Sequence, residues 1–173
     1  MIRLAITGGI GSGKSYIARQ ITELFGIPVY DSDREARRLE EESSEIRQGL
    51  TRLCGTAVYD SEGHLQKQVL ADFLFASPDH AHAVNALIHP IVIQDFIQWS
   101  ERQSAKVVAI ETALLAESGI DRIVDKTIRI DAPLEVRIKR AMQRDGVMRD
   151  QIIERINCQT EYPNPDIIIN NNA

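Results

Sequence analysis

The chain has 173 residues and a formal net charge of −5, with 43% hydrophobic and 26% charged residues. That length suits one domain, or one core with insertions, and the composition is ordinary for a folded protein. The acidic balance argues against a general polyanion binder, no apolar run nears the ~20 residues of a membrane span, and Cys54 and Cys158 lack metal or redox spacing. A cytoplasmic protein without membrane or nucleic-acid partner is expected; the N-terminus enters a strand directly, with no signal-peptide pattern and no internal repeat behind it.

Ile2-Arg3-Leu4-Ala5-Ile6 is a short apolar run suited to a buried strand. From Tyr16 onward, Ile17, Ala18, Ile21, Leu24 and Phe25 fall on one helical face. Between them, Gly8 to Ser15 reads G-x-x-x-x-G-K-S, in the strand–loop–helix setting of a P-loop. Gly9, Gly11 and Gly13 let the backbone curl, with Ser12 between them, so that successive N–H groups form an anion nest. The positive end of the following helix adds to it. Lys14 can reach the β- and γ-phosphates as a mobile point charge, and the Ser15 hydroxyl is placed to ligate Mg²⁺. The plain alternative is a Gly-rich turn with a solvated lysine; the complete, correctly flanked motif argues against it. Nucleotide phosphate binding follows from this stretch, but the reaction does not.

Gly26 suits the C′ position of the first helix. Ile27-Pro28-Val29-Tyr30 is a short second strand, followed at once by Asp31-Ser32-Asp33. Ligand crevices of open α/β sheets lie beyond the carboxyl ends of strands, so this acidic pair should sit near the P-loop. Asp and Ser are also favoured helix N-caps, and one member of the trio is expected to cap the next helix. That helix runs from about Arg34 to Leu53. Arg37 and Arg38 near its start oppose the helix dipole, which hints at an anionic ligand, although solvated surface arginines read equally well. Gly55 and Asp60-Ser61-Glu62-Gly63 mark turns.

Gln66 to Gln103 is helical in pattern, with Val69, Leu70, Phe73 and Leu74 on one stripe and Val84, Leu87, Ile88 and Ile91 on another. Pro90 should end one helix near Ile88 and start another. This stretch interrupts the β–α alternation and reads as a helical insertion forming a second binding lobe. His89 sits at the break, either structural or in contact with a ligand. Lys106 to Glu111 is the third strand, ending in a carboxylate that can hold Mg²⁺ through water, orient substrate, or simply face solvent. Thr127 to Ile130 is a fourth strand. From Leu134 the chain is helical and basic, and Arg137, Arg140 and Arg144 share a face, either solvated or a lid over phosphates. Asp150 to Gln159 continues as a helix, and Asp166 to Asn170 is a last short strand.

Several of these stretches together resemble dephospho-CoA kinase. The Thr7 to Ser15 run resembles that family's P-loop, and Asp31-Ser32-Asp33 its D-x-D motif. Asn85-Ala86-Leu87-Ile88-His89-Pro90 resembles its His-Pro segment, Leu114 to Gly119 the stretch after its third core strand, Arg140 to Asp145 its lid helix, and Asp166 to Asn170 its closing strand. The resemblance implies ATP- and Mg²⁺-dependent phosphorylation of the ribose 3′-hydroxyl of dephospho-CoA, the last step of CoA synthesis. It implies Asp33 as base for that hydroxyl, Arg140 as the lid arginine, and His89 in the acceptor lobe. Thr7, Arg37 and Glu111 join Asp33 and His89 as expected substrate contacts. Gly9, Gly11, Ser12, Gly13, Lys14, Ser15 and Tyr16 are the expected nucleotide contacts, with Asp31 or Glu111 near the metal.

The implied fold is a P-loop kinase α/β/α sandwich with a parallel five-stranded sheet, an inserted helical substrate lobe and a helical lid. The nucleotide-binding core takes 1–60, 104–133 and 160–173, the CoA-binding insertion 61–103, and the lid region 134–159. Tyr16 stands where the family usually has Thr, and Glu111-Thr112-Ala113 where Asp-x-Pro is commoner. Family members commonly add a final helix beyond the last strand; the sequence ends at Ala173, and lower stability and activity are the corresponding expectation. The alternatives are another small-molecule P-loop kinase, acting on a nucleoside or sugar acid, and a non-catalytic nucleotide-binding relative. No N-K-x-D base-reading motif of GTP switches is present.

Overall fold

Five apolar runs pair as one parallel sheet in the computed structural model, which describes residues 1–172. Ala173, the last residue of the expected 160–173 core segment, lies outside the described residues. The strands are β1 (Ile2–Gly8), β2 (Val29–Asp31), β3 (Val107–Glu111), β4 (Lys126–Asp131) and β5 (Ile167–Asn170), in the order β2-β3-β1-β4-β5. All four pairings are parallel. This is the expected α/β architecture with a five-stranded parallel sheet, each strand shifted only slightly at its ends. The chain divides into two compact units, Met1–Asp31 with Ser100–Ala173, and Ser32–Trp99.

The first unit holds the sheet, α1 (Lys14–Phe25), and three later helices: Leu115–Ser118, Leu134–Asp145 and Arg149–Cys158. Strand β1 is central, with β3 on one side and β4 on the other. Connections therefore reverse direction around β1, and the switch point at its carboxyl end is where open α/β sheets form a ligand crevice. Ile6, Ala109, Ile128 and Ile130 bury there against Ala18, with Ile17 and Ile21 packed on them. Central parallel strands bury both faces, which is why they read as continuous apolar runs. Leu24 and Phe25, expected on the same helical face, are instead exposed. The last turn of α1 lies outside the cluster, and left-handed Gly26 turns the chain back toward β2.

Strand β5 is an edge, with Ile167 and Ile168 about half exposed. Its start is pinned by Asp166. That carboxylate accepts from the Thr127 N–H at 2.8 Å and the Thr127 hydroxyl at 2.9 Å, and pairs with Lys126 Nζ at 2.7 Å.

The second unit is helical: α2 (Ser32–Glu42), α3 (Ser44–Cys54), α4 (Lys67–Ala76) and most of α5 (Pro78–Glu101), with a short 3-10 turn over Thr56–Val58. Two expectations are corrected here. The single helix expected from Arg34 to Leu53 is two, because Ser43 leaves helical geometry and its hydroxyl accepts from the Ile46 N–H at 3.3 Å, capping α3. Pro90 does not break the next helix but lies inside α5. Val84, Ile88, Val92 and Phe96 are all buried, a stripe at four-residue spacing that runs straight through the proline. Pro90 itself is exposed, and so is Ala86, whose carbonyl loses its partner. Packing on one face thus outweighs the ~3 kcal/mol that an interior proline costs.

Pro90→Ala should therefore stabilise the protein, raising the thermal midpoint, while any bend it removes should show as lost turnover; calorimetry beside a kinase assay checks both. Asp166 supplies a second expectation. The hydrogen bond and charge of Lys126, with the Thr127 donors, hold its carboxyl at about 2. A depressed carboxylate contributes stability above its unfolded range and loses it as pH falls through the native value. Asp166→Ala should lower the melting temperature at neutral pH, and the gap to wild type should close as melts are taken down toward pH 2.

Candidate active site

Gly8 to Lys14 closes a tight loop between β1 and α1. The Ser12 N–H donates to the Gly9 carbonyl at 3.1 Å, and Gly11 and Gly13 adopt left-handed φ values of +75° and +91°. A Cβ on Gly11 would run into the Arg137 carbonyl, and one on Gly13 into the Asn171 carboxamide. Only glycine fits either place. Helix α1 starts at Lys14 with no side-chain cap. Its first turn therefore presents the positive end of the helix dipole, where anions bind, without a side-chain cap.

The Ser15 hydroxyl donates to Glu111 Oε1 at 2.6 Å. Glu111 is the buried last residue of β3, in register with Ile6 of β1 and with Asp31 at the end of β2. Two carboxylates and a hydroxyl thus gather at neighbouring strand ends. Beside them opens a cleft of about 170 Å³ bordered by Gly13, Lys14, Ser15, Tyr16, Arg140 and Arg144. Thr7 is buried one residue before the end of β1. Basic groups on one wall and helix N–H groups on the other make the cleft chemically suited to a polyphosphate.

The loop is braced from behind. Gln159 Oε1 accepts from the Ile10 N–H at 2.8 Å, and Arg137 Nε donates to the Ile10 carbonyl at 3.0 Å. Arg140 Nη1 donates to the Gly11 and Ser12 carbonyls at 3.4 and 3.2 Å, and Asn171 Nδ2 to the Ser12 carbonyl at 3.0 Å. The Ile10 side chain packs on Ile138, Ala141 and Ile152 of the last two helices. Arg140, expected over the transferring phosphates, borders the cleft while its guanidinium also holds the loop.

The remaining expected residues lie in the helical unit. Asp33 and Arg37 are exposed on α2, Asp33 in its first turn, and His89 is half-buried on α5 just before Pro90. Asp31 directly precedes α2, in the N-cap position. Arg38 is accounted for structurally: it pairs with Glu35 at 2.7 Å, Glu42 at 2.7 Å and Asp95 at 2.9 Å. The Arg38 hydrogen bond, opposed by burial and helped by Arg34, holds the Glu35 carboxyl below its ordinary range.

The family model for dephospho-CoA kinase matches residues 2–173. A dephospho-CoA kinase of Porphyromonas gingivalis is 45% identical over 159 residues, covering 92% of this chain and 78% of that protein. The chain belongs to the dephospho-CoA kinase family. It is accordingly a kinase, a phosphotransferase with ATP as co-substrate. A solved Thermus thermophilus protein superposes with a TM-score of 0.84 at 32% identity, covering 99% of this chain and 89% of that one. The solved dephospho-CoA kinase of Campylobacter jejuni shares the fold, with a TM-score of 0.66 at 22% identity and coverage of 99% and 88%. No helix among the described residues is long and apolar enough to cross a membrane.

Sequence reasoning missed Gln159 and Asn171 as members of this kinase site. Asn171 had one usable signal, its place just beyond the carboxyl end of a sheet strand; Gln159 had none. Gly11→Ala should weaken ATP binding about tenfold or more, in line with the ~1–3 kcal/mol of a left-handed non-glycine residue. Titration calorimetry on the folded variant checks this, and wild-type affinity would contradict the packing of Gly11 on Arg137.

Proposed function

We propose that this chain transfers the γ-phosphoryl group of ATP to the ribose 3′-hydroxyl of dephospho-CoA, giving CoA and ADP. The observation that carries the reading is the Ser15–Glu111 hydrogen bond of 2.6 Å, set at the mouth of an uncapped helix and a glycine cradle. Family membership supports the acceptor.

Loose phosphoryl transfer needs positioning and charge more than covalent help from the protein. The nest of Gly9, Gly11, Ser12 and Gly13 takes the β-phosphate, Lys14 neutralises charge between the β- and γ-phosphates, and Tyr16 flanks the cleft. Ser15 and Glu111, with Asp31 in register beside Glu111, have the hydroxyl and carboxylate chemistry that suits Mg²⁺, a hard cation bound through few protein oxygens. A Mg²⁺ held by these residues would supply positive charge that offsets the triphosphate. Arg140, with Arg144 beside it in the cleft wall, faces the charge that builds on the transferring group. Segment 134–159 acts as the lid and excludes water, which protects ATP from hydrolysis.

The acceptor falls to the helical part of the chain. Segment 61–103, with His89, binds the CoA moiety; Arg37 meets an acceptor phosphate, and Thr7 lies on the substrate side of the loop. The 3′-oxygen attacks the γ-phosphorus, the bond to the β,γ-bridging oxygen breaks, and the hydroxyl proton passes to the Asp33 carboxylate. Asp33 suits this role because it is exposed in the first turn after β2, beyond a strand's carboxyl end. The same reading places the enzyme in the cytoplasm with small-molecule partners and no nucleic acid.

Two measurements test this. Incubation with ATP, Mg²⁺ and a panel of acceptors should yield CoA by mass only from dephospho-CoA, and saturating turnover with a nucleoside or sugar acid instead would reassign the acceptor. Asp33→Asn should keep ATP affinity and lose at least ~100-fold in kcat, the lower range for a general base; near-normal turnover would remove Asp33 from that role.

A further inference from the structure

We propose that Asn171 is a positioning residue for ATP use, aiming the P-loop through the Ser12–Gly13 peptide. Asn171 follows β5 directly and is buried, with 9% of its surface exposed. Its backbone is fixed on both sides: the N–H donates to the Asp131 carbonyl at 2.7 Å, and the carbonyl accepts from Arg140 Nη2 at 3.3 Å. Only the carboxamide remains to act at a distance from the strand. It donates to the Ser12 carbonyl at 3.0 Å and lies against Gly13 where a Cβ would otherwise stand.

The consequence follows from peptide geometry. No cis peptide bond occurs among the described residues, so the Ser12 carbonyl and the Gly13 N–H point in opposite directions. Holding the carbonyl against Asn171 and Arg140 turns the Gly13 N–H the other way, toward the cradle. Gly13 is also the N-cap of α1, so the same contact sets where Lys14 and Ser15 begin. Ser12 donates its N–H within the loop, to the Gly9 carbonyl. Its own hydroxyl is buried without a hydrogen-bond partner in the structure, so the carbonyl carries the attachment of this residue to the rest of the fold. The carbonyl's two lone pairs match the two donors it receives, Asn171 Nδ2 and Arg140 Nη1. Arg140 can be drawn toward the phosphates during turnover, since it borders the cleft. Asn171 is then the donor that keeps the peptide aimed while Arg140 is engaged elsewhere.

The test uses the full chain with two variants, and reads ATP and dephospho-CoA kinetics separately. Asn171→Ala should lower kcat/KM for ATP about tenfold, the effect of one lost buried hydrogen bond, with KM for dephospho-CoA unchanged. Asn171→Asp is nearly isosteric, but an ionised carboxylate cannot donate and opposes the Ser12 carbonyl, whereas a protonated one can donate. An ionised carboxylate would also pair with Arg140, whose guanidinium reaches the same Ser12 carbonyl, so kcat/KM for ATP in Asn171→Asp should fall at least as far as in Asn171→Ala, about tenfold or more. Wild-type kinetics for ATP in Asn171→Ala, whatever its melting temperature, would overturn the proposal. If Asn171→Ala does not fold, wild-type kinetics for ATP in Asn171→Asp overturn it by themselves. The proposal rests on the cradle being the ATP phosphate site. Failure of that reading would appear with Asn171 intact, as ATP affinity unaffected by Lys14→Ala, and not only in the Asn171 variants.

Discussion

An anion nest is held open against its own preference. A glycine-rich loop whose N–H groups converge must send its carbonyls outward, and outward carbonyls near a protein core need donors. Here the donors come from far along the chain: Arg137 on Ile10, Arg140 on Gly11 and Ser12, and Asn171 on Ser12. Gln159 accepts from the Ile10 N–H on the same side of the loop. Every such contact joins the first turn of the fold to residues beyond β4. The phosphate cradle is therefore a property of the whole first unit, and a short loop fragment would not keep its shape.

This long-range bracing explains what was legible in the sequence and what was not. The motif from Gly8 to Ser15 could be read because its chemistry is local: glycine freedom, lysine reach and a helix start all sit within eight residues. Glu111 was legible for a different reason, as a carboxylate ending an apolar run, and its bond to Ser15 follows from strand register. The rear braces have no local signature. Gln159 is an ordinary helix-end glutamine until β4 and the last two helices bring it under the loop. Local rules also failed where packing decided. Pro90 predicts a break, but a stripe of four buried apolar side chains carries α5 through it. Ser43 predicts a cap as readily as a helix residue, and the structure uses the cap.

The arginines separate in the same way. Arg37 and Arg38 look alike in sequence, both basic and both against the dipole of α2. In the structure Arg38 spends its donors on Glu35, Glu42 and Asp95, whereas Arg37 stays exposed. A guanidinium already held by three carboxylates can accept an anionic ligand only by giving up charge-assisted bonds, which is why Arg37 and not Arg38 is the one proposed to meet the acceptor phosphate.

Strand β5 ties stability to the site. At its start Asp166 locks the edge strand to Thr127 and Lys126; just past its end Asn171 reaches the loop. An edge strand paired on one side frays more readily than a central one, since half its backbone groups lack partners in the sheet. Fraying here would be felt first at Asn171, because its N–H is bonded to Asp131 in the last register position and nothing beyond it in the sheet holds it. The four-residue strand thus transmits the sheet's rigidity to a loop that it never pairs with, and the anchoring of β5 at Asp166 sets how firmly the Ser12 carbonyl is held at the other end.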